Sequence, residues 1–209
     1  MTAGLREAKR EATARELAST AYELVVAHGF ASVTVDDIVG RAGVSRRTFS
    51  NYYASKEAAV AATLEYAVSD GLRGWQPSSS LTSLVGLTRH VLGHLFSVGA
   101  PARLIELAGL ARVHPQLLSH VLDAHWRAWL LAGARIRAAR ANHGPTNAVE
   151  VDGVMGALFG AVSGAVFGIG AGANLPGGES ESPPPLGAAA LVADMGALLD
   201  RLEHGFGAD

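Results

Sequence analysis

The sequence predicts an all-α fold of about nine helices, three short ones near the amino terminus and six longer ones behind them. Apolar residues recur at intervals of three and four along most of the chain, which is the period of an amphipathic helix. The alternation typical of a strand occurs only in the brief segment ASVTV, residues 31–35. Capping residues precede the periodic segments, and glycine or proline follows them.

The three front helices are each bounded by a local signal. The first has one apolar stripe, formed by Leu17, Ala21, Leu24, Val25 and His28. Gly29 is placed to end this helix in a left-handed cap. Thr34 caps the second helix, whose first turn holds two aspartates that suit the helix dipole, and Gly43 ends it. Ser45 caps the third.

Six longer helices are predicted behind them. The first begins at the Ser55 cap and ends near residue 72, before the turn-rich segment GWQPSSS. The next three span residues 81–98, 101–113 and 115–141, and proline starts the last two. Asn147 and Glu150 have the spacing of a capping box, and their helix is predicted to reach about residue 173. The segment NLPGGESESPPP, residues 174–185, reads as a flexible linker before a final helix over 186–204.

Composition excludes several classes of protein. With 209 residues, 49% of them hydrophobic, the chain can bury a sizeable core. It has no cysteine, which excludes disulfides and thiolate metal sites. The charged amino terminus lacks the apolar core of a signal peptide, so a cytoplasmic location is expected. No phosphate loop, nucleophile elbow or HExxH motif occurs, and we expect neither an enzyme nor a cofactor.

Two arginines stand where a helix dipole disfavours them. Arg46 and Arg47 begin the third helix, next to its positive end. The second and third helices, joined at AGV, have the spacing of a helix-turn-helix, whose second helix enters the DNA major groove. A helical wheel divides the third helix into a packing face with Val44, Thr48, Phe49 and Tyr52 and an outer face with Arg46, Arg47, Ser50 and Asn51. Arginine suits guanine, although the pair alone could equally be solvated surface residues.

The wider segment GFASVTVDDIVGRAGVSRRTFSNYYASKEAAV, residues 29–60, resembles the DNA-binding signature of the tetracycline-repressor (TetR) family of transcriptional regulators. The resemblance rests on a GF…T turn, I…AGVS, T-[FL], an aromatic pair and S-K-E, all in one register, and is weak over the first helix. It implies a helix-turn-helix domain at residues 1–58 and an effector-binding and dimerisation domain at 59–209. It also implies a homodimer that binds a near-palindromic double-stranded DNA operator. By the family's habit the protein would be a repressor, and a small molecule would release it from the operator.

The resemblance also implies roles for individual residues. Base edges would be contacted by Arg46, Arg47, Ser50 and Asn51. Phosphates would be held by Thr48, Tyr52 and Lys56, the last at the start of the fourth helix. Thr34 would cap the second helix and contact the DNA backbone, and Ser45 would lie in the same interface. Ser50 departs from the family's pattern, because many relatives carry an aromatic residue there.

A charge-free segment follows in the second domain. Residues 155–173, MGALFGAVSGAVFGIGAGA, carry glycine at every fourth position: Gly156, Gly160, Gly164, Gly168 and Gly172. Flanking acids and the lack of basic anchors argue against a membrane span. The resemblance instead places residues 148–173 and 186–204 in a dimer interface built from the last two helices. A loose dinucleotide fingerprint at Gly168, Gly170 and Ala173 follows no strand and is attributed to chance.

The effector is expected to be apolar or amphipathic, in a cavity enclosed by helices four to seven. Its predicted lining is Leu64, Leu87, His90, His94, Phe96, Leu107, His125, Trp126 and Trp129. His90 and His94 also have the i, i+4 spacing of a metal pair, which His114, His120, His125 and Glu106 could join. We favour pocket or core histidines and no metal, and a metal-responsive regulator is the alternative.

Overall fold

A computed structural model describes residues 2–141, 147–168 and 188–204 of the chain. Within these ranges it contains nine α-helices and no strand, which confirms the predicted all-α class. The helices are α1 Thr2–His28, α2 Val35–Ala42, α3 Arg46–Ser50, α4 Lys56–Arg73, α5 Leu84–Ser97, α6 Ala100–Val113, α7 Leu118–Ala141, α8 Ala148–Phe167 and α9 Ala188–His204. A 3₁₀ turn, Pro115–Leu117, precedes α7.

The predicted caps of the front helices are confirmed. Gly29 and Gly43 follow α1 and α2 with φ of 83° and 67°, values that favour glycine. Thr34 forms a full capping box with Asp37, whose amide donates to the Thr34 hydroxyl. The Ser45 hydroxyl accepts from the Thr48 amide at 3.0 Å. These short-range hydrogen bonds explain why the boundaries of α2 and α3 could be read locally.

Two predicted helix boundaries require correction. The helix predicted from residue 81 begins at Leu84, because the Ser83 hydroxyl accepts from the Gly86 amide and caps it there. The helix predicted to reach about residue 173 ends at Phe167, because Gly168 turns into the left-handed region with φ 69° and donates its N–H to Gly164. The predicted start of the last helix at residue 186 and the glycines at 170 and 172 lie outside the described residues.

The three front helices pack around a small core of their own. Leu17, Phe30, Ile38 and Phe49 are at most 1% exposed. α4 contacts both α1 and the long helix α7, so the same helix belongs to the front core and to the bundle behind it. α7 in turn contacts α4, α5, α6 and α8. The predicted division between residues 58 and 59 therefore falls inside a helix that both parts share.

The turn-rich segment after α4 is anchored by packing. Trp75 is buried, and its indole Nε1 donates to His90 Nδ1 at 2.8 Å. Arg135 Nη2 donates to the Leu72 carbonyl at 3.2 Å, at the end of α4. The sequence indicated a break here but not a buried tryptophan.

By length and composition, α8 is apolar enough to cross a membrane. It packs against α7 and α9, and its buried side chains include Val151, Met155 and Leu158. These are the contacts of one helix within a bundle.

Candidate nucleic-acid interface and effector cavity

Helix α3 presents one polar face outward. Phe49 is buried beneath it, whereas Arg46, Arg47, Ser50 and Asn51 are exposed. The helical wheel predicted this division correctly for these residues. Thr48 and Tyr52, which it placed on the packing face, are half-buried.

Arg46 is paired across the helix-turn-helix. Its Nε and Nη2 atoms donate to Asp36 Oδ1 at 2.8 Å and Oδ2 at 2.5 Å. The hydrogen bond from Arg46 holds the pKa of the Asp36 carboxyl below its ordinary value. A planar fork on a carboxylate fixes the direction of the guanidinium as well as its position.

The other polar residues around α3 differ in whether their side chains already have hydrogen-bond or ion-pair partners within the protein. Arg47 takes part in no ion pair among the residues that the structure describes. The Ser50 hydroxyl donates to the Arg46 carbonyl, and the Ser45 hydroxyl lies 2.8 Å from that of Thr48. The exposed guanidinium of Arg47 is therefore the group on α3 most accessible to an anion.

The Lys56 ammonium has hydrogen-bond partners within the protein. Its ammonium donates to the carbonyls of Phe30 and Val33 at 2.7 Å each, and lies 4.4 Å from the centre of the Phe30 ring. It thereby fastens the start of α4 to the turn between α1 and α2. The resemblance gave Lys56 a phosphate contact, and the structure adds a structural role that no sequence signal indicated.

Sequence reasoning also missed Tyr53. This residue is 8% exposed, and its hydroxyl donates to the Ala14 carbonyl at 2.8 Å and lies 3.0 Å from the Tyr66 hydroxyl. Burial raises the pKa of the Tyr53 phenol far above its ordinary value. The aromatic pair after α3 thus has two functions, because Tyr52 stays at the surface while Tyr53 joins α3 to α1 and α4.

An apolar cavity of about 70 Å³ lies between α4, α5, α6, α7, α8 and α9. Its lining consists of Leu64, Val68, Leu92, Leu95, Phe96, Ala100, Pro101, Leu104, His125, Ala128, Trp129, Ala132, Val162, Leu191 and Met195. Among the described residues that line it, only His125 and Trp129 have nitrogen in their side chains. The volume is about half of the roughly 150 Å³ of a protein cavity that binds benzene.

Four of the nine predicted lining residues reach this cavity, namely Leu64, Phe96, His125 and Trp129. Leu87 and Leu107 are fully buried in the core elsewhere, and Trp126 is 46% exposed. His90 and His94 face the end of α4 instead, where they bind Trp75 and the Gly71 carbonyl. The helical period alone did not reveal which face of α5 meets the cavity and which meets Trp75.

His125 has the most unusual environment in the cavity. It is 2% exposed, and the rings of Phe159 and Phe167 lie 4.9 and 5.8 Å from its own. Trp129 Nε1 donates to its Nε2 at 2.5 Å. Burial lowers the pKa of His125 to about 4, so the ring is neutral at pH 7. Its Nδ1 is buried and has no hydrogen-bond partner among the described residues.

The described histidines do not come together into a metal-binding cluster. His90, His94 and His125 have the separate partners just given, and the His114 ring stacks on Phe30 at 4.7 Å. In residues 2–141, 147–168 and 188–204 no group of three or more His, Cys, Asp or Glu side chains could hold an ion.

Helix α6 joins the cavity to the front helices. Leu104 lines the cavity. On the same helix, Glu106 accepts a hydrogen bond from the Tyr22 hydroxyl at 2.5 Å, and the Arg103 guanidinium lies 3.5 Å from the centre of the Tyr22 ring. Burial, followed by the Glu106 hydrogen bond, raises the pKa of Tyr22 to about 12. A shift of α6 at the cavity would therefore reach α1 directly.

The outer side of α8 carries several glycines, and both α8 and α9 expose a valine. On α8, Gly153, Gly156 and Gly160 have open space where a Cβ would lie. Val149 and Val192, one on each helix, are 77% and 44% exposed. Such a surface allows close approach of another helix.

Residues 17–63 match the family model described as "Bacterial regulatory proteins, tetR family". Over 50 residues the chain is 50% identical to the putative mycofactocin biosynthesis transcriptional regulator MftR of Mycobacterium tuberculosis (strain ATCC 25618 / H37Rv). That match covers 24% of this chain and 25% of the relative's length. The crystal structure of the TetR family transcription regulator SCO0332 is similar with a TM-score of 0.52 at 24% identity, over 90% of this chain and 96% of the other. At this identity the structural likeness establishes the fold alone.

Proposed function

We propose that this chain, whose residues 17–63 match the tetR family of bacterial regulatory proteins, is a ligand-responsive transcriptional repressor of that family. It binds a near-palindromic operator as a homodimer in the cytoplasm, and a small apolar molecule releases it. It is neither an enzyme nor a membrane protein. The observation that carries the proposal is the exposed polar face of α3 within a helix-turn-helix that matches the family.

DNA recognition is assigned to α3. Arg46, Arg47 and Asn51 are exposed on the face that the docking geometry of a helix-turn-helix turns towards base edges. Asp36 directs the Arg46 guanidinium, which reduces the conformational freedom that Arg46 loses on binding. Arg47 is free to meet guanine or phosphate. Thr48, Tyr52 and Lys56 are the proposed phosphate contacts, Thr34 contacts the DNA backbone, and Ser45 lies in the same interface.

Dimerisation is assigned to the outer side of α8 and α9. Two copies packed through this surface would form a four-helix interface, with the open glycines of α8 at the closest approach. A two-fold dimer would place two α3 helices roughly 34 Å apart, one helical turn of DNA. An operator with two inverted half-sites follows from that symmetry.

Release is assigned to a ligand in the apolar cavity. A ligand that displaces Leu104 moves α6, and α6 holds Tyr22 of α1 through Glu106 and Arg103. α4 provides a second route, because Leu64 lines the cavity while Lys56 of the same helix is fastened to the front turn. A coupling of about 1–3 kcal/mol between the two sites suffices for such a switch.

The decisive experiment is fluorescence anisotropy with DNA from upstream of the gene, at several salt concentrations. The wild-type protein should bind one near-palindrome saturably, with an affinity that falls as salt rises because phosphate contacts release counterions. Arg47→Ala should lose about tenfold or more in affinity for that site, whereas Arg41→Ala, an exposed arginine of α2, should lose much less. Weak binding that is equal for all sequences would refute the proposal.

A further inference from the structure

We propose that the apolar cavity selects a small neutral molecule with one hydrogen-bond acceptor, such as the carbonyl oxygen of a ketone or ester, and that His125 Nδ1–H donates to it. This inference rests on the proposed function only in treating the cavity as a ligand site. It adds the chemical class of the ligand and the residue that recognises it.

The protonation state of His125 follows from its partner. The indole N–H of Trp129 can only donate, so the His125 nitrogen that it contacts must carry a lone pair. That nitrogen is Nε2, and a neutral imidazole then carries its proton on Nδ1. The His125 ring, which lines the cavity, therefore carries a defined donor at Nδ1 rather than an acceptor.

No acceptor for this donor lies among the described residues. Nδ1 is buried and has no hydrogen-bond partner in the part of the chain that the structure describes. Around the ring lie Phe159, Phe167 and Trp129, none of which offers an acceptor oxygen. Because a buried polar group without a partner is costly and uncommon, a ligand that supplies the acceptor gains more than its apolar contacts alone.

The rest of the cavity argues for a neutral ligand. Among the residues that the structure describes, no charged side chain lines it, so a carboxylate or ammonium group would be buried without a counter-charge from them. The His125 ring is itself neutral at pH 7, because burial lowers its pKa to about 4. A carbonyl oxygen satisfies Nδ1–H and adds no charge.

The size of the cavity argues for a small ligand. About 70 Å³ is less than a benzene-sized site needs, so a five-membered ring already requires side chains to move. Met195 provides that room most readily, because an unbranched thioether repacks easily.

The test compares three ligands of one shape on the full-length protein at pH 7.5: cyclopentanone, cyclopentane and cyclopentanecarboxylate. NMR titration of ¹⁵N-labelled protein should show His125 as the neutral ring protonated at Nδ1. Cyclopentanone should shift the Nδ1–H resonance and bind about tenfold more tightly than cyclopentane, and the carboxylate should bind least. Equal affinity for ketone and hydrocarbon, an unmoved Nδ1–H resonance, or preference for the carboxylate would each overturn the proposal.

A variant isolates the donor. His125→Phe keeps an aromatic ring in the cavity and should lose about tenfold in affinity for cyclopentanone while cyclopentane is unaffected, and His125→Asn, which restores an N–H donor, should recover part of that loss. If His125→Phe does not fold, the three-ligand comparison on the wild type still decides. Operator binding is measured separately. If the protein binds cyclopentanone through His125 but binds no operator, the ligand assignment stands and the proposed function is refuted.

Discussion

Asp36 of α2 holds Arg46 of α3 in a two-pronged ion pair, with Nε–Oδ1 and Nη2–Oδ2 distances of 2.8 and 2.5 Å. Both side chains are about two-thirds exposed, at 68% and 64%. An exposed pair of this kind contributes little to stability. The main effect of the pair is therefore to orient the Arg46 guanidinium, not to stabilise the fold.

Asp36→Asn should raise the affinity for unrelated DNA, because it removes a negative charge from the surface that faces phosphates. Discrimination between the operator and unrelated DNA should fall, because Arg46 is then directed less strictly. The free energy of unfolding should change little, because both side chains are exposed. Anisotropy titrations on both duplexes and urea denaturation test this. Asp123→Asn removes the same charge from an exposed aspartate–arginine pair on α7 and should leave both affinities unchanged; an equal effect of the two variants would contradict the prediction.

Lys56→Met should lower the free energy of unfolding by about 2–3 kcal/mol, because the carbonyls of Phe30 and Val33 lose a charged donor. A lysine that only held phosphate would leave stability unchanged. Urea denaturation distinguishes the two. Lys9→Met, at an exposed position of α1, should cost less than about 0.5 kcal/mol. Equal stability of Lys56→Met and the wild type would show that its contacts contribute nothing net.

Gly156→Glu should convert the proposed dimer into monomers, because it places a charged side chain on the outer side of α8. The monomer should stay folded, since a Cβ at Gly156 meets no atom within 4 Å. Gly109→Glu is the matched control on α6, where a Cβ is equally free and the surface is outside the proposed interface. Sedimentation velocity measures both. If the Gly156→Glu protein is still a dimer, the interface does not lie on this side of α8.

The free energy of unfolding should fall by about 3 kcal/mol between pH 6.5 and pH 4 through His125 alone. Its pKa in the folded protein is about 4, below the ordinary 6.5, so the unfolded chain binds more protons in this window. The contribution is complete above pH 6.5 and is lost as the pH falls towards 4. Urea denaturation across this range should show this loss in the wild type and not in His125→Phe, so the difference between their unfolding free energies should change by about 3 kcal/mol. Parallel curves would mean that His125 titrates normally.

Tyr22→Phe should leave operator affinity within about twofold but weaken the release of operator by cyclopentanone, because the hydroxyl bond to Glu106 links α1 to α6. Glu106→Gln keeps an acceptor oxygen and should behave more like the wild type. Anisotropy competition with increasing cyclopentanone measures the concentration for half release. An unchanged value in Tyr22→Phe would exclude α6 as the route of coupling and leave α4.

Helix boundaries were predictable wherever a hydrogen bond within three or four residues sets them. Thr34, Ser45 and Gly43 act on their own turns, so their residue type was sufficient. The end of α8 at Phe167 was not predictable, because the glycine-rich apolar run continues past it without a polar break. The cavity was predicted only in part, because which side of α5 faces inward depends on Trp75 packing at the end of α4.

The sequence by itself determined the helix-turn-helix, its caps, and the exposed arginines of α3, because these depend on neighbours along the chain. Only the tertiary structure decided where Lys56, Trp75 and His125 lie. Lys56 and Trp75 bind residues distant in sequence, and the His125 ring packs against Phe159 of another helix as well as bonding to Trp129. A neutral buried histidine, with one donor that no described residue accepts, is a property of helices packed together. No period or motif in a single helix could indicate it.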